Sequence, residues 1–162
     1  MLFRSDEIIA EEKAFTLERT LNLFSQICAG VSVAHKSNIV HRDLKPANII
    51  VTRDGTGAEQ VKILDLGLAK LVENASSNQT LSGRTVGATQ AGMVLGTPQY
   101  MSPEQATGGN VDERTDIYAL GMILCEMLTG SLPFKASSAM QWIARQIADA
   151  PKIGRASCRE RV

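Results

Sequence analysis

The octapeptide His41-Arg42-Asp43-Leu44-Lys45-Pro46-Ala47-Asn48, followed 17 residues after its last member by Asp65-Leu66-Gly67, is the part of this chain whose side chains admit the fewest uses. A carboxylate, Asp43, is followed two residues on by a cation, Lys45, and five residues on by an amide, Asn48. Asp65 adds a second carboxylate from a separate loop. A phosphoryl group in transit calls for this inventory, because its transfer rests on positioning and charge neutralisation more than on covalent chemistry. Asp43 can accept or orient the proton of an incoming hydroxyl, worth about 10²–10⁴ in rate for a well-placed base. Lys45 can neutralise charge on the moving group. The Asn48 carbonyl oxygen and the Asp65 carboxylate are hard donors of the kind that Mg2+ accepts beside phosphate oxygens and water.

Reading outward, the apolar runs Ile49-Ile50-Val51 and Val61-Lys62-Ile63-Leu64 flank the turn-rich Arg53-Asp54-Gly55-Thr56-Gly57 and predict a small antiparallel hairpin. Asn48 then enters the hairpin and Asp65 leaves it, so both come to the same end and can face one ion. Upstream, Leu17, Leu21, Phe24, Ile27, Val31 and Ala34 recur at three- and four-residue steps, one face of a helix that starts after Thr16. Thr16 suits the N-cap and Glu18 the first turn, with Arg19 where a capping box would want an acid. Downstream, the stretch from about Thr115 to Leu128 carries Ile117, Leu120, Met122, Ile123, Leu124, Met127 and Leu128, apolar on nearly every face and so expected to be buried. Gly130 ends it, and Leu132-Pro133-Phe134 leads to a further helix around Ser138–Ala148.

A chain of 162 residues can hold one domain with a sizeable core. Its 17 basic and 17 acidic residues balance, but Ile153-Gly154-Arg155-Ala156-Ser157-Cys158-Arg159-Glu160-Arg161-Val162 resembles one reading frame of a common sequencing-adapter oligonucleotide. A natural basic tail is the alternative. Without Lys152 to Val162 the count is 13 basic against 16 acidic, mildly acidic and without the clustered Lys/Arg of a nucleic-acid surface. No run reaches the roughly 18–20 apolar residues of a membrane span, and no signal peptide precedes the first helix. Cys28 and Cys125 fall at apolar helix positions and Cys158 in the adapter-like segment; with no metal or disulfide spacing among them, a reducing cytoplasmic compartment is expected.

The two opening motifs make the chain resemble the protein-kinase superfamily, whose catalytic loop reads H-R-D-L-x-x-x-N and whose metal motif reads D-F-G, with Leu66 here in place of Phe. Gly96-Thr97-Pro98-Gln99-Tyr100-Met101-Ser102-Pro103-Glu104 resembles the family's substrate-binding loop running into its A-P-E motif, with Ser102 for Ala. Asp116-Ile117-Tyr118-Ala119-Leu120-Gly121 resembles the D-x-x-x-x-G start of the long buried helix of the large lobe. Four motifs in family order cover roughly residues 17–150. Asp43-Leu44-Lys45-Pro46-Ala47-Asn48 looks like the serine/threonine branch, and Met-Ser-Pro-Glu-Gln with Val111-Asp112-Glu113-Arg114-Thr115-Asp116 is most similar to the bacterial eukaryotic-type (Hanks-type) kinases.

The resemblance implies an α+β fold, the large (C-terminal) lobe of a kinase, mainly α-helical with a small β-hairpin. It also implies ATP and Mg2+ as cofactors and transfer of the γ-phosphoryl group to Ser/Thr hydroxyls of a protein. Asp43 and Lys45 would be catalytic, Asn48 and Asp65 would hold metal, and Ile50 would join them in contacting the nucleotide. His41 would pack beneath the metal loop, against Leu66; Leu66 and Gly67 would be structural, as would Thr97 near Asp43 and Lys45. Asp116 would hold the backbone of the His-Arg-Asp loop. Glu104 would lack the arginine that usually pairs with it, leaving a buried carboxylate unpartnered at a cost of several kcal/mol. His35 reads as a helix-end residue.

From Asp65 to Glu104 lie 40 residues, the activation segment by resemblance, rich in Ser, Thr, Asn, Gln and Gly from Asn74 to Gly92. Such a composition buries little apolar surface and suggests a phosphorylation switch, with Arg42 placed to pair with a phosphate on Thr89. Thr80, Ser82 and Thr85 are weaker candidates, and an inert loop is the alternative. The small-lobe elements that clamp ATP, a glycine-rich loop, a strand lysine and a helix glutamate, do not occur in these 162 residues. Met1 to Lys13 reads as the helix just after the inter-lobe hinge. Residues 1–152 are therefore expected to be a partial catalytic domain, truncated at both ends and inactive alone, and residues 153–162 a non-native tail. The competing reading is a non-catalytic pseudokinase or scaffold, against which the intact Asp43, Lys45, Asn48 and Asp65 weigh.

Overall fold

In the computed structural model, which describes residues 2–12, 14–66 and 97–151 (residues 2–4 by backbone alone), four α-helices begin at a short polar side chain that caps them, Thr16, Ser102, Asp112 and Ser138. Gly67, Thr89, the polar stretch 74–92 and the adapter-like segment 153–162 lie outside the described residues. A first strand, β1 (Leu2–Arg4), runs into helix α1 (Ser5–Glu12). Thr16 caps α2 (Leu17–Lys36) by accepting a hydrogen bond from the Arg19 amide at 3.3 Å. The hairpin is β2 (Ile49–Arg53) and β3 (Glu59–Ile63), antiparallel, with Ile49 opposite Ile63 and Arg53 opposite Glu59. Its turn is drawn together by Asp54, whose Oδ1 accepts from the Thr56 and Ala58 amides at 2.8 and 3.0 Å. Gly57 supplies the φ of +85° that a side chain would resist.

Three helices follow: α3 (Pro103–Thr107), capped by Ser102; α4 (Glu113–Thr129), capped by Asp112; and α5 (Ala139–Ala148), capped by Ser138. Helix α4 stops at Gly130, whose φ of +65° is the left-handed conformation that ends helices. The architecture is α+β, mainly helical among the described residues, with one small antiparallel sheet ordered β1-β2-β3. The third strand departs from the expected two-stranded hairpin. Phe3 pairs with Val51, and the Ser5 hydroxyl donates to the Ile49 carbonyl at 2.9 Å, so the start of the chain is fastened to β2. Three residues are too few to carry a strand period, and their partner is far away in sequence.

The main core joins α1, α2, the sheet and α4 through Ile8, Ile9, Phe15, Leu23, Ile27, Val31, Leu44, Ile49, Val51, Leu120, Ile123 and Met127. Each such side chain contributes about 1.5–3 kcal/mol by leaving water. Met122, Phe134 and Trp142 form a second, smaller cluster that seats α5 on α4. The buried face of α2 is Thr20, Leu23, Ile27, Val31 and Ala34, so the expected face is corrected at its first turns: Leu17 and Leu21 are exposed. Phe15 takes the inward position instead, its amide bonded to the Met127 carbonyl at 2.9 Å. Likewise α4 is not buried all round, since Ile117 and Leu128 are exposed. No helix among the described residues is long and apolar enough to cross a membrane.

One ion-pair set ties α1, α2 and the hairpin. Arg19 donates through Nε and Nη2 to both Glu59 oxygens, at 2.9 and 2.7 Å, reaches Glu12 through Nη1, and stacks on the Phe15 ring 4.6 Å away. The Arg19 hydrogen bonds hold the Glu59 carboxyl below the usual glutamate value despite partial burial, and the guanidinium is pushed up in return. A carboxyl depressed in the folded state stabilises it above the unfolded glutamate value, about 4.3, and that contribution fades as pH falls through the folded value. Glu59→Gln should therefore cost up to about 1 kcal/mol at pH 7. Urea unfolding at pH 7 and again near pH 3 checks this, with the gap from the parent closing at the lower pH.

Candidate active site

The loop between α2 and the hairpin is organised by one carboxylate. Asp116, 1 % exposed in the first turns of α4, accepts the His41 amide on Oδ2 at 2.9 Å and the Arg42 amide on Oδ1 at 3.0 Å. The His35 ring, from the last turn of α2, meets Oδ2 through Nε2 at 2.7 Å. A buried charge is tolerable when its oxygens are filled in this way. Turning two consecutive N–H groups onto one carboxylate goes with a left-handed Arg42 (φ +68°), a conformation that costs a residue with a side chain about 1 kcal/mol or more.

His41 is buried, and its Nε2 lies 2.9 Å from the Leu64 carbonyl oxygen. A carbonyl only accepts, so the proton sits on Nε2 and leaves Nδ1 to accept from the Asp43 amide at 3.4 Å. The Leu64 amide in turn donates to the Asn48 carbonyl at 2.8 Å. Leu64 is thus gripped from both sides, by His41 and by Asn48. Asp65 follows it directly, in the left-handed region at φ +58°, with its side chain exposed.

Around Asp43 the contacts are direct. Lys45 Nζ donates to Asp43 Oδ2 at 2.7 Å, and Asn48 Nδ2 donates to Asp43 O at 2.8 Å and to Oδ2 at 3.2 Å. Pro46 opens the single 3₁₀ turn Pro46–Asn48 that brings the asparagine back under the aspartate. The Asp43 side chain remains 59 % exposed, open to an approaching group. Since the Asn48 amide nitrogen faces Asp43, its oxygen is turned the other way. That oxygen and the Asp65 carboxylate are a donor set that suits a hard cation sharing phosphate oxygens. Among the described residues no group of three or more His, Cys, Asp or Glu could hold a metal by itself.

The structure therefore brings His41, Asp43, Lys45 and Asn48 together and tethers Asp65 one residue beyond Leu64. Ile50 lies on β2, on the face opposite the buried Ile49 and Val51. Leu66, expected against the His41 ring, is 44 % exposed; the ring's hydrogen bond goes to the Leu64 carbonyl instead, which fixes the segment through backbone rather than through a side chain. Thr97 precedes a second 3₁₀ turn, Pro98–Tyr100, and no hydrogen bond among the described residues joins it to Asp43 or Lys45. Glu104 is not a stranded buried carboxylate: it is half-buried and accepts from the Thr115 hydroxyl at 2.6 Å. Burial, the largest single influence, acts to raise this carboxyl, but hydrogen bonds from the Thr115 hydroxyl, its own backbone amide and the Ser102 side chain together outweigh it, leaving the group below its ordinary value.

Two contributors were not assigned these roles from the sequence. His35 finds its partner 81 residues away on α4. Gln105 accepts a hydrogen bond from the Ser102 amide at 3.1 Å and donates from Nε2 to the Arg42 carbonyl at 2.6 Å, joining α3 to the loop that carries Asp43. A glutamine three residues after a helix-capping serine is a local capping signal, but its second bond is not. Asp116→Ala should leave the buried His41 amide unsatisfied, at about 1–3 kcal/mol, and remove the acceptor of the part-buried Arg42 amide at a smaller cost. Chemical denaturation should show that loss, and hydrogen exchange should show the two amides deprotected.

Comparison with known proteins adds to this geometry. The family model described as the protein kinase domain matches residues 3–161. Serine/threonine-protein kinase pkn3 of Myxococcus xanthus is 39 % identical over 90 % of this chain and 25 % of its own length. Pkn1 of the same organism is 45 % identical over 81 % of the chain and 18 % of its own length. Serine/threonine-protein kinase PknB of Mycobacterium tuberculosis is 36 % identical over 90 % of the chain and 21 % of its own length. The chain thus spans a quarter or less of these relatives. A loop clamped by Asp116, an Asp43–Lys45–Asn48 cluster within it and a match over almost the whole length agree on one assignment: this chain belongs to the protein kinase family.

Proposed function

We propose that the protein carrying these residues transfers the γ-phosphoryl group of ATP to serine or threonine hydroxyls of protein substrates. The observation that carries the reading is the Asp43 carboxylate, exposed on one side and held on the other by Lys45 and Asn48. A general base must be fixed in one rotamer yet reachable, and the two hydrogen bonds to Oδ2 fix it without closing it. The acceptor hydroxyl would hand its proton to Asp43 or be oriented by it. Lys45, 2.7 Å from that carboxylate, is close enough to share its charge with the incoming phosphoryl oxygens. Asn48 Oδ1 and Asp65 would hold Mg2+, which neutralises phosphate charge when bound, and Ile50 would contact the nucleotide.

The loop's precision comes from behind. Asp116 holds the two residues before Asp43, and His41 ties Asp43 to Leu64, so the base and the metal-binding carboxylate would move as one body. We further propose that Arg42 receives a phosphate placed on Thr89, whose charge of about −1.5 to −2 would pull the activation segment toward the catalytic loop. These residues would act on the cytoplasmic side, whether the full-length protein is free in the cytoplasm or anchored at a membrane.

The test is phosphate incorporation from labelled Mg-ATP by the natural polypeptide that contains these residues together with a nucleotide-clamping lobe. Asp43→Asn should lower kcat by about 10²–10⁴ and leave the KM for ATP close to that of the parent. Full transfer by that variant would overturn the reading, whereas ATP binding without transfer by the parent would favour a non-catalytic scaffold. Asp65→Asn should raise the Mg2+ concentration needed for half-maximal rate, read from initial rates across a Mg2+ titration.

A further inference from the structure

Gln146 is 1 % exposed, a fully buried amide on a helix whose other inward residue is Trp142. Its side chain reaches out of α5 to the backbone of the second 3₁₀ turn. Nε2 lies 2.7 Å from the Gln99 carbonyl and 3.3 Å from the Pro98 carbonyl, and Oε1 meets the Tyr118 hydroxyl of α4. The orientation is set by chemistry. Carbonyl oxygens cannot donate, so the NH2 group must face the turn; Oε1 must then accept, and Tyr118 must donate. The phenol fits that role, since burial, followed by the charge of Glu104, pushes it above its ordinary value.

Burial of an amide is not what seats this helix. Trp142 already anchors it against Met122 and Phe134, and an apolar side chain at position 146 would serve packing equally well. What the amide adds is direction. The NH2 group meets two consecutive carbonyls of the turn, fixing it in angle as well as distance. The Tyr100 hydroxyl of the same turn donates to Glu126 on α4 at 2.6 Å. A few residues on, Gln105 donates to the Arg42 carbonyl, beside Asp43. The segment from Pro98 to Gln105 is therefore held at one end by α4 and α5 and at the other by the catalytic loop.

We propose that Gln146 is a positioning residue for the protein acceptor: through the Pro98 and Gln99 carbonyls it sets where the docking turn lies relative to Asp43. This rests on the kinase reading given above, in which residues 96–104 receive the acceptor segment. Gln146 touches neither substrate nor nucleotide; it acts on the acceptor through the turn.

The experiment compares the parent polypeptide with Gln146→Met, which keeps the length and loses both donors, and with Tyr118→Phe, which releases Oε1 alone. Measured for each are KM for a protein substrate, KM for ATP, ATP hydrolysis without acceptor, and melting temperature. Gln146→Met should raise the protein-substrate KM by about ten- to a hundredfold, the scale of a displaced positioning element. KM for ATP and acceptor-free hydrolysis should stay within about twofold of the parent. Tyr118→Phe should shift the same constant in the same direction by less, and it carries the test if Gln146→Met does not fold. An unchanged protein-substrate KM, or a parallel fall in every constant together with melting temperature, overturns the proposal. Should the parent show no transfer that depends on Asp43, the kinase reading falls and this inference with it. Asp43-dependent transfer with an unaltered Gln146→Met removes the inference alone.

Discussion

The carboxylate of Asp116 is the point on which the site depends. It stands in the first turns of α4, almost wholly removed from water, and its two oxygens are filled by the His41 and Arg42 amides and the His35 ring. Taking an ion out of water is expensive, and three hydrogen bonds from two other segments offset that expense only if all three segments arrive together. The carboxylate therefore acts as a condition on the fold: α2 must end, the loop must turn, and α4 must lie where it does, or a charge is left stranded. The left-handed Arg42 is the local strain this condition imposes.

From that fixed loop the rest of the site is reached by short steps. His41 passes the register to Leu64, Leu64 is shared with Asn48, and the hairpin is paired residue for residue from there, Ile49 with Ile63 onward. Asn48 takes its place from its own carbonyl, which accepts the Leu64 amide, and from its side-chain bonds to Asp43, while Asp65 follows the bonded Leu64 directly, which is why the hairpin's core-facing residues, Ile49 and Val51, matter to chemistry they do not touch.

What the amino-acid order revealed, and what it hid, divides along sequence distance. Thr16 as a cap, the hairpin around Asp54-Gly55-Thr56-Gly57, the stop at Gly130 and the helix after Ser138 are decided by neighbours within a few residues, and all were readable. Periodicity located the helices but not their covered faces. Leu17, Leu21 and Ile117 have the hydrophobicity of core residues, yet whether they are covered depends on elements that the local pattern does not name. The strand Leu2–Arg4 was too short to show a period. The motif residues were legible because their types and spacing are restrictive. Of their supports, Asp116 was named by the family resemblance, whereas a histidine 81 residues from its aspartate, or a glutamine 47 residues from the carbonyl it holds, leaves no local trace.

The hairpin has two ends of different character. One carries Asn48 and, just past β3, Asp65; the other closes on the Asp54 turn and is pinned to α2 by the Arg19–Glu59 clamp. Variation introduced between Gly55 and Gly57 would be absorbed beyond that clamp, because the paired strands between it and the site are anchored independently through Ile49 and Val51. The tip is thus insulated from the chemistry, a natural graft point where evolution could lengthen the loop, or an experimenter attach a reporter, without disturbing the residues around Asp43.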